Sequence, residues 1–144
     1  MKEILREIKI NSEAETRKFG LDLASDFEKG DVIALIGDLG TGKTTLTRYI
    51  AEGLGINARI NSPTFTIVKE YEGGRLPLYH FDVYRLDGNT DELYNIGAEE
   101  YFYGNGVSVI EWADMITDEL PENTKYIYIE YGKLEGERIY RCTF

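Results

Sequence analysis

The sequence predicts an α/β fold with a mixed, mostly parallel sheet, antiparallel hairpin strands and helices on both faces. The first observation behind this prediction is an apolar run, residues 32–36, which is long enough for a buried strand and too short for a helix. The second is that this run leads through a glycine-rich turn into the amphipathic residues 43–54. The third is a pair of β-rich runs, residues 65–72 and 75–86, whose connecting glycines predict an antiparallel hairpin.

The glycine-rich turn has the spacing G-x-x-x-x-G-K-[ST] of a P-loop, which cradles nucleotide phosphates in NTPases. Its glycines permit φ angles closed to other residues, so that consecutive N–H groups converge on one anion. Lys43 adds a mobile positive charge, and the Thr44 hydroxyl is placed to ligate the Mg²⁺ that bridges the phosphates. The sequence therefore predicts a P-loop NTPase fold that binds a nucleotide. The predicted binding residues are Gly37, Asp38, Leu39, Gly40, Thr41, Gly42, Lys43, Thr44 and Thr45.

Length and composition restrict what such a protein does. The 144 residues are expected to form one P-loop domain, residues 1–144, with no room for a separate substrate domain. A formal net charge of −10 argues against a protein that grips nucleic acid over a wide basic surface, so any RNA is expected to be held by a partner. The single cysteine, Cys142, excludes an internal disulfide. No leader and no long apolar span is visible, which predicts a cytoplasmic protein without a membrane partner.

Local signals place the other elements. Ile4, Ile8 and Ile10 indicate a first strand, and Ser12 followed by Glu15 forms a capping box, which predicts that a helix starts there. Gly30 is a suitable C-terminal stop for that helix. Further elements are expected at residues 91–103 (one or two short helices, broken at Gly97), 107–114 (a strand) and 126–144 (a terminal hairpin).

Thr64 is a candidate switch residue. Pro63 disfavours helical geometry in the preceding residue, which predicts a fixed, extended loop there. Thr64 follows Thr44 by twenty residues, in the region where P-loop switches carry a threonine that reports the γ-phosphate. The alternative is an ordinary loop hydroxyl before a strand.

Asp82 is a candidate catalytic acid. In the second run of the hairpin, His80 and Asp82 share one face of the strand, because successive side chains alternate. A carboxylate near the phosphate end of the sheet can orient a water molecule or take its proton. A structural hydrogen bond between His80 and Asp82 is the alternative.

Glu111 is the candidate acidic metal residue. It lies in a β run, residues 107–114, and a strand that ends in Asp or Glu is the second metal-handling element of P-loop sites. The alternative is a surface glutamate at a strand end. Trp112 follows directly, and an aromatic there is more often packing than chemistry.

The kind of nucleotide and reaction follows from what the sequence lacks. Neither the Asn-Lys-x-Asp nor the Asp-x-x-Gly signature of guanine-reading GTPases occurs, which favours ATP. A small-molecule kinase needs a lid whose arginines clamp the phosphates, yet Arg85 is the only arginine between Arg75 and Arg138. A small ATPase module that passes a conformational change to a partner is favoured. A nucleotide-gated interaction module without obligatory hydrolysis, and a small-molecule kinase, stay open.

Four blocks of sequence together resemble the TsaE (YjeE) ATPases. In chain order they are residues 37–45 (GDLGTGKTT), 62–65 (SPTF), 79–86 (YHFDVYRL) and 110–112 (IEW). The resemblance runs from the Ser12 capping region to the final hairpin. It implies a role in making threonylcarbamoyladenosine, the modified base next to the anticodon of tRNA. In that family a TsaD–TsaB complex performs the transfer, and ATP hydrolysis by the TsaE-like protein resets the complex.

The same resemblance implies roles for individual residues. Lys43 and the loop amides would bind phosphates, Thr44 and Glu111 would hold Mg²⁺, Thr64 would act as the switch, and Asp82 would be the acid needed for hydrolysis. Intrinsic turnover is expected to be slow, because no spare arginine finger is present and P-loop hydrolysis then waits for a partner. Further nucleotide contacts are implied for Trp112, Asp114 and the turn at residues 132–138.

Overall fold

One sheet organises the part of the chain that the computed structural model describes, residues 2–38, 40–63, 66–87 and 89–144. Its strands are β1 (Arg6–Ile10), β2 (Val32–Gly37), β3 (Val68–Tyr71), β4 (Leu78–Asp82), β5 (Val107–Glu111), β6 (Lys125–Tyr131) and β7 (Arg138–Cys142). Side by side they run in the order β1-β7-β6-β2-β5-β4-β3. The four central strands, β6, β2, β5 and β4, are parallel, while β3, β7 and β1 pair antiparallel at the two sides. The predicted mixed sheet is confirmed.

The apolar run ahead of the P-loop is the central strand β2, with β5 and β6 as its parallel neighbours. Its side chains alternate between the two faces of the sheet, so that each face receives part of the run. Ile33 and Leu35 belong to one buried core cluster and Val32 and Ala34 to the other. Burial on both faces explains why the run is continuously apolar rather than alternating.

Helices cover both faces, as predicted. In the described residues they are α1 (Glu13–Asp26), α2 (Lys43–Gly53), α3 (Asp91–Asn95), α4 (Ala98–Phe102) and two 3₁₀ helices at Tyr84–Leu86 and Ala113–Glu119. One core cluster joins α1 and α2 to the sheet, and the other joins α3, α4 and the 3₁₀ segments to its opposite face. None of the helices described has both the length and the apolar character that a bilayer crossing requires.

The first helix starts where the sequence predicts and ends earlier. Ser12 is the N-cap of α1, and its hydroxyl accepts a hydrogen bond from the Glu15 N–H at 3.2 Å. The helix ends at Asp26, because Phe27 turns extended and buries its ring in the core. The expected stop at Gly30 is therefore wrong. Gly30 instead has φ +84°, which a turn leading into β2 requires and glycine adopts without strain.

The remaining local predictions hold with shorter bounds. β3 and β4 form the expected antiparallel hairpin, and β6 and β7 form the terminal one. Gly97, with φ +71°, separates α3 from α4. β5 ends at Glu111 instead of continuing to Asp114, because Trp112 takes a left-handed conformation and a 3₁₀ helix follows. Cys142 is a buried strand residue of β7.

Candidate nucleotide-binding site

The carboxyl ends of the parallel strands bring most of the predicted site residues together. The P-loop leaves the end of β2, Asp82 is the last residue of β4, and Glu111 is the last residue of β5. Asp82 and Glu111 are also register partners across the β4–β5 pair. Ligands of open α/β sheets bind at this edge, where the strand ends meet helix N-termini.

Two glycines of the P-loop have backbone angles that other residues rarely adopt. Gly40 and Gly42 have φ angles of +82° and +101°, and Gly42 is the N-cap of α2 without a side chain to cap it. The first N–H groups of a helix have no partner within the helix, so those of α2 are available to a phosphate. A Cβ on Gly37 would lie 2.7 Å from the Ile129 carbonyl oxygen, so a larger residue would displace the loop. Leu39 lies outside the described residues.

Lys43 is held over the loop by three contacts. Its Nζ donates to the carbonyl oxygens of Gly37 at 2.5 Å and Asp38 at 3.1 Å, and lies 4.0 Å from the centre of the Trp112 ring. Burial lowers the pKa of Lys43, against the opposing effect of four nearby carboxylates. In such a poorly solvated place a charge interaction with a phosphate is screened less than in water.

Thr44 and Glu111 meet directly, although 67 residues separate them. The Thr44 hydroxyl donates to Glu111 Oε1 at 3.0 Å and Oε2 at 3.1 Å, and its oxygen lies 3.0 Å from Ser62 Oγ. On its other side, Glu111 Oε2 lies 2.5 Å from His80 Nε2. The predicted alternative of a hydrogen bond from His80 to Asp82 is wrong, because this imidazole nitrogen is used by Glu111.

The Thr44 hydroxyl and the Glu111 carboxylate are the oxygen ligands that Mg²⁺ prefers. Within the described ranges no group of three or more His, Cys, Asp or Glu side chains could hold a metal ion by itself. Few protein ligands are what a P-loop site needs, because Mg²⁺ there keeps water and takes phosphate oxygens. The residues present therefore fit a nucleotide-bound Mg²⁺ and do not fit a cage made of protein alone.

Asp82 faces a different environment from Glu111. Its Oδ1 accepts the Tyr84 N–H at 3.1 Å, and the carboxylate borders a cavity of about 330 Å³ whose other walls are Pro63, Tyr84, Arg85 and Trp112. Burial raises the pKa of Asp82, and the negative charge of Glu111 raises it further against the hydrogen bond from Tyr84. A carboxylate with a raised pKa is a better proton acceptor than an ordinary aspartate.

Trp112 joins the loop to this cavity. Its φ of +62° is rare for a bulky residue, and such strained backbone is concentrated at functional sites. Its ring lies beneath Lys43 and 4.8 Å from the Tyr84 ring. Asp114 follows in the first turn of the 3₁₀ helix, where its charge acts on Lys43.

A second cavity, of about 230 Å³, flanks the loop on the other side. The start of α1 contributes Ser12, Glu13 and Thr16, and the P-loop contributes Gly40 to Gly42 and Thr45. Arg138 closes it: its Nε donates to the Thr41 carbonyl at 3.2 Å and its guanidinium lies 4.5 Å from the Tyr131 ring. The start of α1, the P-loop and β7 thus enclose a cavity at this end of the loop.

The family of this chain follows from comparison with known proteins. The model of the family described as "Threonylcarbamoyl adenosine biosynthesis protein TsaE" matches residues 10–140. The chain belongs to the TsaE family. The family predicted from the four sequence blocks is thereby confirmed.

Individual TsaE proteins are similar over most of the chain. A tRNA threonylcarbamoyladenosine biosynthesis protein TsaE from Bacillus subtilis is 50% identical over 116 residues, which is 81% of this chain and 72% of the relative. Its counterpart from Treponema pallidum is 46% identical over 113 residues, covering 78% and 82%. The crystal structure of YdiB from Bacillus subtilis superposes with a TM-score of 0.80 at 40% identity, covering 99% of this chain and 86% of that one. The P-loop NTPase fold expected from the sequence is confirmed.

The TsaE sequence blocks are the segments that build this site. Lys43, Thr44, Asp82, Glu111 and Trp112 all lie around the P-loop end of the sheet. Thr64 lies outside the described residues, so its role as a switch stays a prediction.

Reasoning from the residues alone missed the start of α1 as a contributor to this TsaE site, and it reached Arg138 only through the family resemblance. The start of α1 was identified only as a capping signal, and the turn at residues 132–138, which contains Arg138, was expected to contact the nucleotide only because the resemblance implies it. Neither has a local signal for ligand binding, because both reach the loop through the tertiary fold: β1 and β7 form one side of the sheet, and β7 brings Arg138 back to Thr41. His80 as a partner of Glu111 was missed for the same reason.

Proposed function

We propose that this TsaE-family protein is a Mg²⁺-dependent ATPase that acts in the threonylcarbamoyladenosine modification of tRNA, next to the anticodon. The observation that carries the proposal is the contact between Thr44 and Glu111 at 3.0 Å beside a glycine-rich loop and a second carboxylate, Asp82. A phosphate cradle, a pair of oxygen ligands and a proton acceptor are the parts that P-loop hydrolysis uses.

The loop residues supply nucleotide binding. Lys43, which bonds to the carbonyls of Gly37 and Asp38, would turn to the phosphates, where a negative charge is a better partner than a carbonyl. The N–H groups at the start of α2 would bind the same phosphates. Thr44 and Glu111 would hold Mg²⁺, which when bound neutralises charge on the phosphate oxygens.

Asp82 supplies the proton acceptor. It lies at the open cavity rather than in the Thr44–Glu111 contact, so it is free to orient a water molecule towards the phosphates. Its raised pKa makes it a suitable acceptor of that water's proton. Thr64, two residues beyond Ser62, would report the γ-phosphate as a switch.

The partner we propose is the TsaD–TsaB transferase complex, which hydrolysis would reset between turnovers in the cytoplasm. The cavity beside Asp82 is bordered by an exposed tyrosine, Tyr84, and this is where a partner can complete the site. The acidic character of the chain supports contact with tRNA through these partners only.

ATP turnover by the purified chain, alone and with TsaD–TsaB, tests the proposal. We expect slow turnover alone and a stimulation of at least about tenfold by the pair, since completion of a P-loop site by a partner gives increases of this size or larger. Lys43→Ala should abolish both, while Lys29→Ala, an exposed lysine elsewhere, should change neither. Fast turnover by the isolated chain, or turnover that survives Lys43→Ala, would contradict the proposal. ATP binding without any turnover would favour the nucleotide-gated module instead.

A further inference from the structure

His80 is a buried polar residue next to the site for which the proposed reaction has no use. It is the only histidine of the sequence, and its side chain is 0% exposed in the middle of β4. Its Nε2 lies 2.5 Å from Glu111 Oε2, while its Nδ1 has no hydrogen-bond partner in the part of the chain that the structure describes.

Stability alone does not explain a histidine at this position. A buried nitrogen without a partner costs stability, and an apolar side chain of similar size would avoid that cost. Leu78, two residues before His80 and on the same face of β4, is a fully buried apolar residue, so the core on that face accepts such side chains. We therefore look for the reason for this histidine in the effect of its hydrogen bond on Glu111.

That hydrogen bond fixes the direction of the Glu111 carboxylate. Glu111 Oε2 accepts from His80 on the side of β4, while the Thr44 hydroxyl lies 3.0 Å from Oε1 and 3.1 Å from Oε2, so the carboxylate is held between the two side chains. The parallel pairing of β4 with β5 sets this geometry, because His80 lies two residues before Asp82, the register partner of Glu111.

A catalytic or ligating role fits His80 less well. Its Nε2 is occupied by Glu111, and its ring is shielded from solvent, so it does not reach a reacting water. Mg²⁺ prefers oxygen over imidazole ligands.

We infer that His80 is a positioning residue, which holds the Glu111 carboxylate in the orientation that binds Mg²⁺ beside Thr44. This inference rests on the proposed Mg²⁺–nucleotide site. Hydrogen-bond partners of metal ligands commonly set metal affinity by factors of about 10 to 100 when they are removed.

Two amide substitutions test the role with matched chemistry. His80→Gln carries a side-chain N–H at about the reach of Nε2 and keeps a donor for Glu111, while His80→Asn is one carbon shorter and does not reach it. The readout is the Mg²⁺ concentration that half-saturates ADP binding. ADP binding is monitored through the fluorescence of Trp112, the only tryptophan of the sequence. ADP affinity in EDTA and thermal unfolding of the metal-free proteins are measured alongside.

We expect His80→Asn to raise the half-saturating Mg²⁺ concentration about tenfold. ADP affinity in EDTA should stay within about twofold of wild type, since the phosphate loop is untouched. His80→Gln should have a half-saturating Mg²⁺ concentration close to that of wild type. If His80→Asn does not fold, His80→Met takes its place as a donor-free side chain of suitable length.

The inference would be overturned if wild type and the donor-free variant had the same half-saturating Mg²⁺ concentration. It would also be overturned if His80→Gln raised this concentration as much as His80→Asn does. Failure of the proposed function looks different: wild type itself would then show no Mg²⁺-dependent ADP binding.

Discussion

At the scale of single residues, the site places two neighbouring carboxylates in unlike environments. Glu111 is buried between the Thr44 hydroxyl and the His80 ring, which suits a metal ligand. Asp82, its register partner on β4, instead borders a cavity and accepts the Tyr84 N–H. Pairs of acids in unlike environments are how enzymes assign different tasks to the same functional group.

Asp82→Asn should separate hydrolysis from binding. We expect turnover in the presence of the partner pair to fall by about 100-fold or more, the usual contribution of a general base, with ATP affinity nearly unchanged. A gated module that never hydrolyses ATP would keep supporting its transferase after this substitution. Single-turnover hydrolysis and equilibrium binding of ATP measure the two quantities separately.

The pH dependence of ATP turnover should also identify Asp82 as the proton acceptor. Because burial raises the pKa of Asp82, its basic form is lost as pH falls through a value above the ordinary 3.9 or so of aspartate. Wild-type turnover should therefore drop on the acidic side, and that limb should be missing in Asp82→Asn. Asp87→Asn is the matched control, since Asp87 is exposed and asparagine tolerates its left-handed φ of +48°. An unchanged acidic limb in Asp82→Asn would assign the proton acceptor elsewhere.

At the scale of elements, the two long helices are packed so closely that they constrain the P-loop. A Cβ on Gly20 of α1 would lie 2.5 Å from the Tyr49 Cβ of α2. The Tyr49 hydroxyl also donates to Glu13 at 2.6 Å, and Arg17 pairs with Glu52 at 2.6 Å. Since α2 begins in the P-loop at Lys43, a shift of this helix moves the phosphate site as well.

Gly20→Ala therefore tests the helix pair. Replacing glycine in a helix by alanine gains about 1 kcal/mol, but overpacking a tight contact costs about 1–3 kcal/mol. We expect a net loss of about 1 kcal/mol in the free energy of unfolding, measured with denaturant, together with weaker ADP binding. Ser25→Ala, on the exposed side of the same helix, removes only a local hydrogen bond to the Asp22 carbonyl and should leave ADP binding unchanged. A more stable Gly20→Ala protein would show that α1 and α2 have room between them.

Features that are encoded by adjacent residues could be predicted from the sequence, whereas features that depend on distant contacts could not. The P-loop, the Ser12 cap and both hairpins are written in adjacent residues, and the structure confirms them. The end of α1 depended on the burial of Phe27, and the partner of His80 depended on the pairing of β4 with β5 across 31 residues. No window of sequence contains those contacts, because strand order is fixed by the packing of the whole sheet.

At the scale of the whole molecule, charge decides which partners the chain can hold alone. The formal net charge is −10, and residues 86–124 contain ten acidic residues but no lysine or arginine. This stretch supplies α3, α4, β5 and the longer 3₁₀ helix, so these elements carry acidic side chains and no basic ones. Binding to a nucleic acid backbone draws its affinity from lysines and arginines that neutralise phosphates.

The isolated chain should therefore show no measurable binding to tRNA at about 150 mM salt, where non-specific binding is already weak even for basic proteins. Fluorescence polarisation of labelled tRNA measures this, with the TsaD–TsaB complex as the positive control. Adding the chain to a preformed tRNA–TsaD–TsaB complex should slow the rotation of the label further, because contact is made through protein. Direct binding to tRNA that weakens steeply with salt would reveal a basic surface and contradict an indirect role. Binding to the tRNA–TsaD–TsaB complex but not to free tRNA would indicate that the chain docks on the transferase proteins.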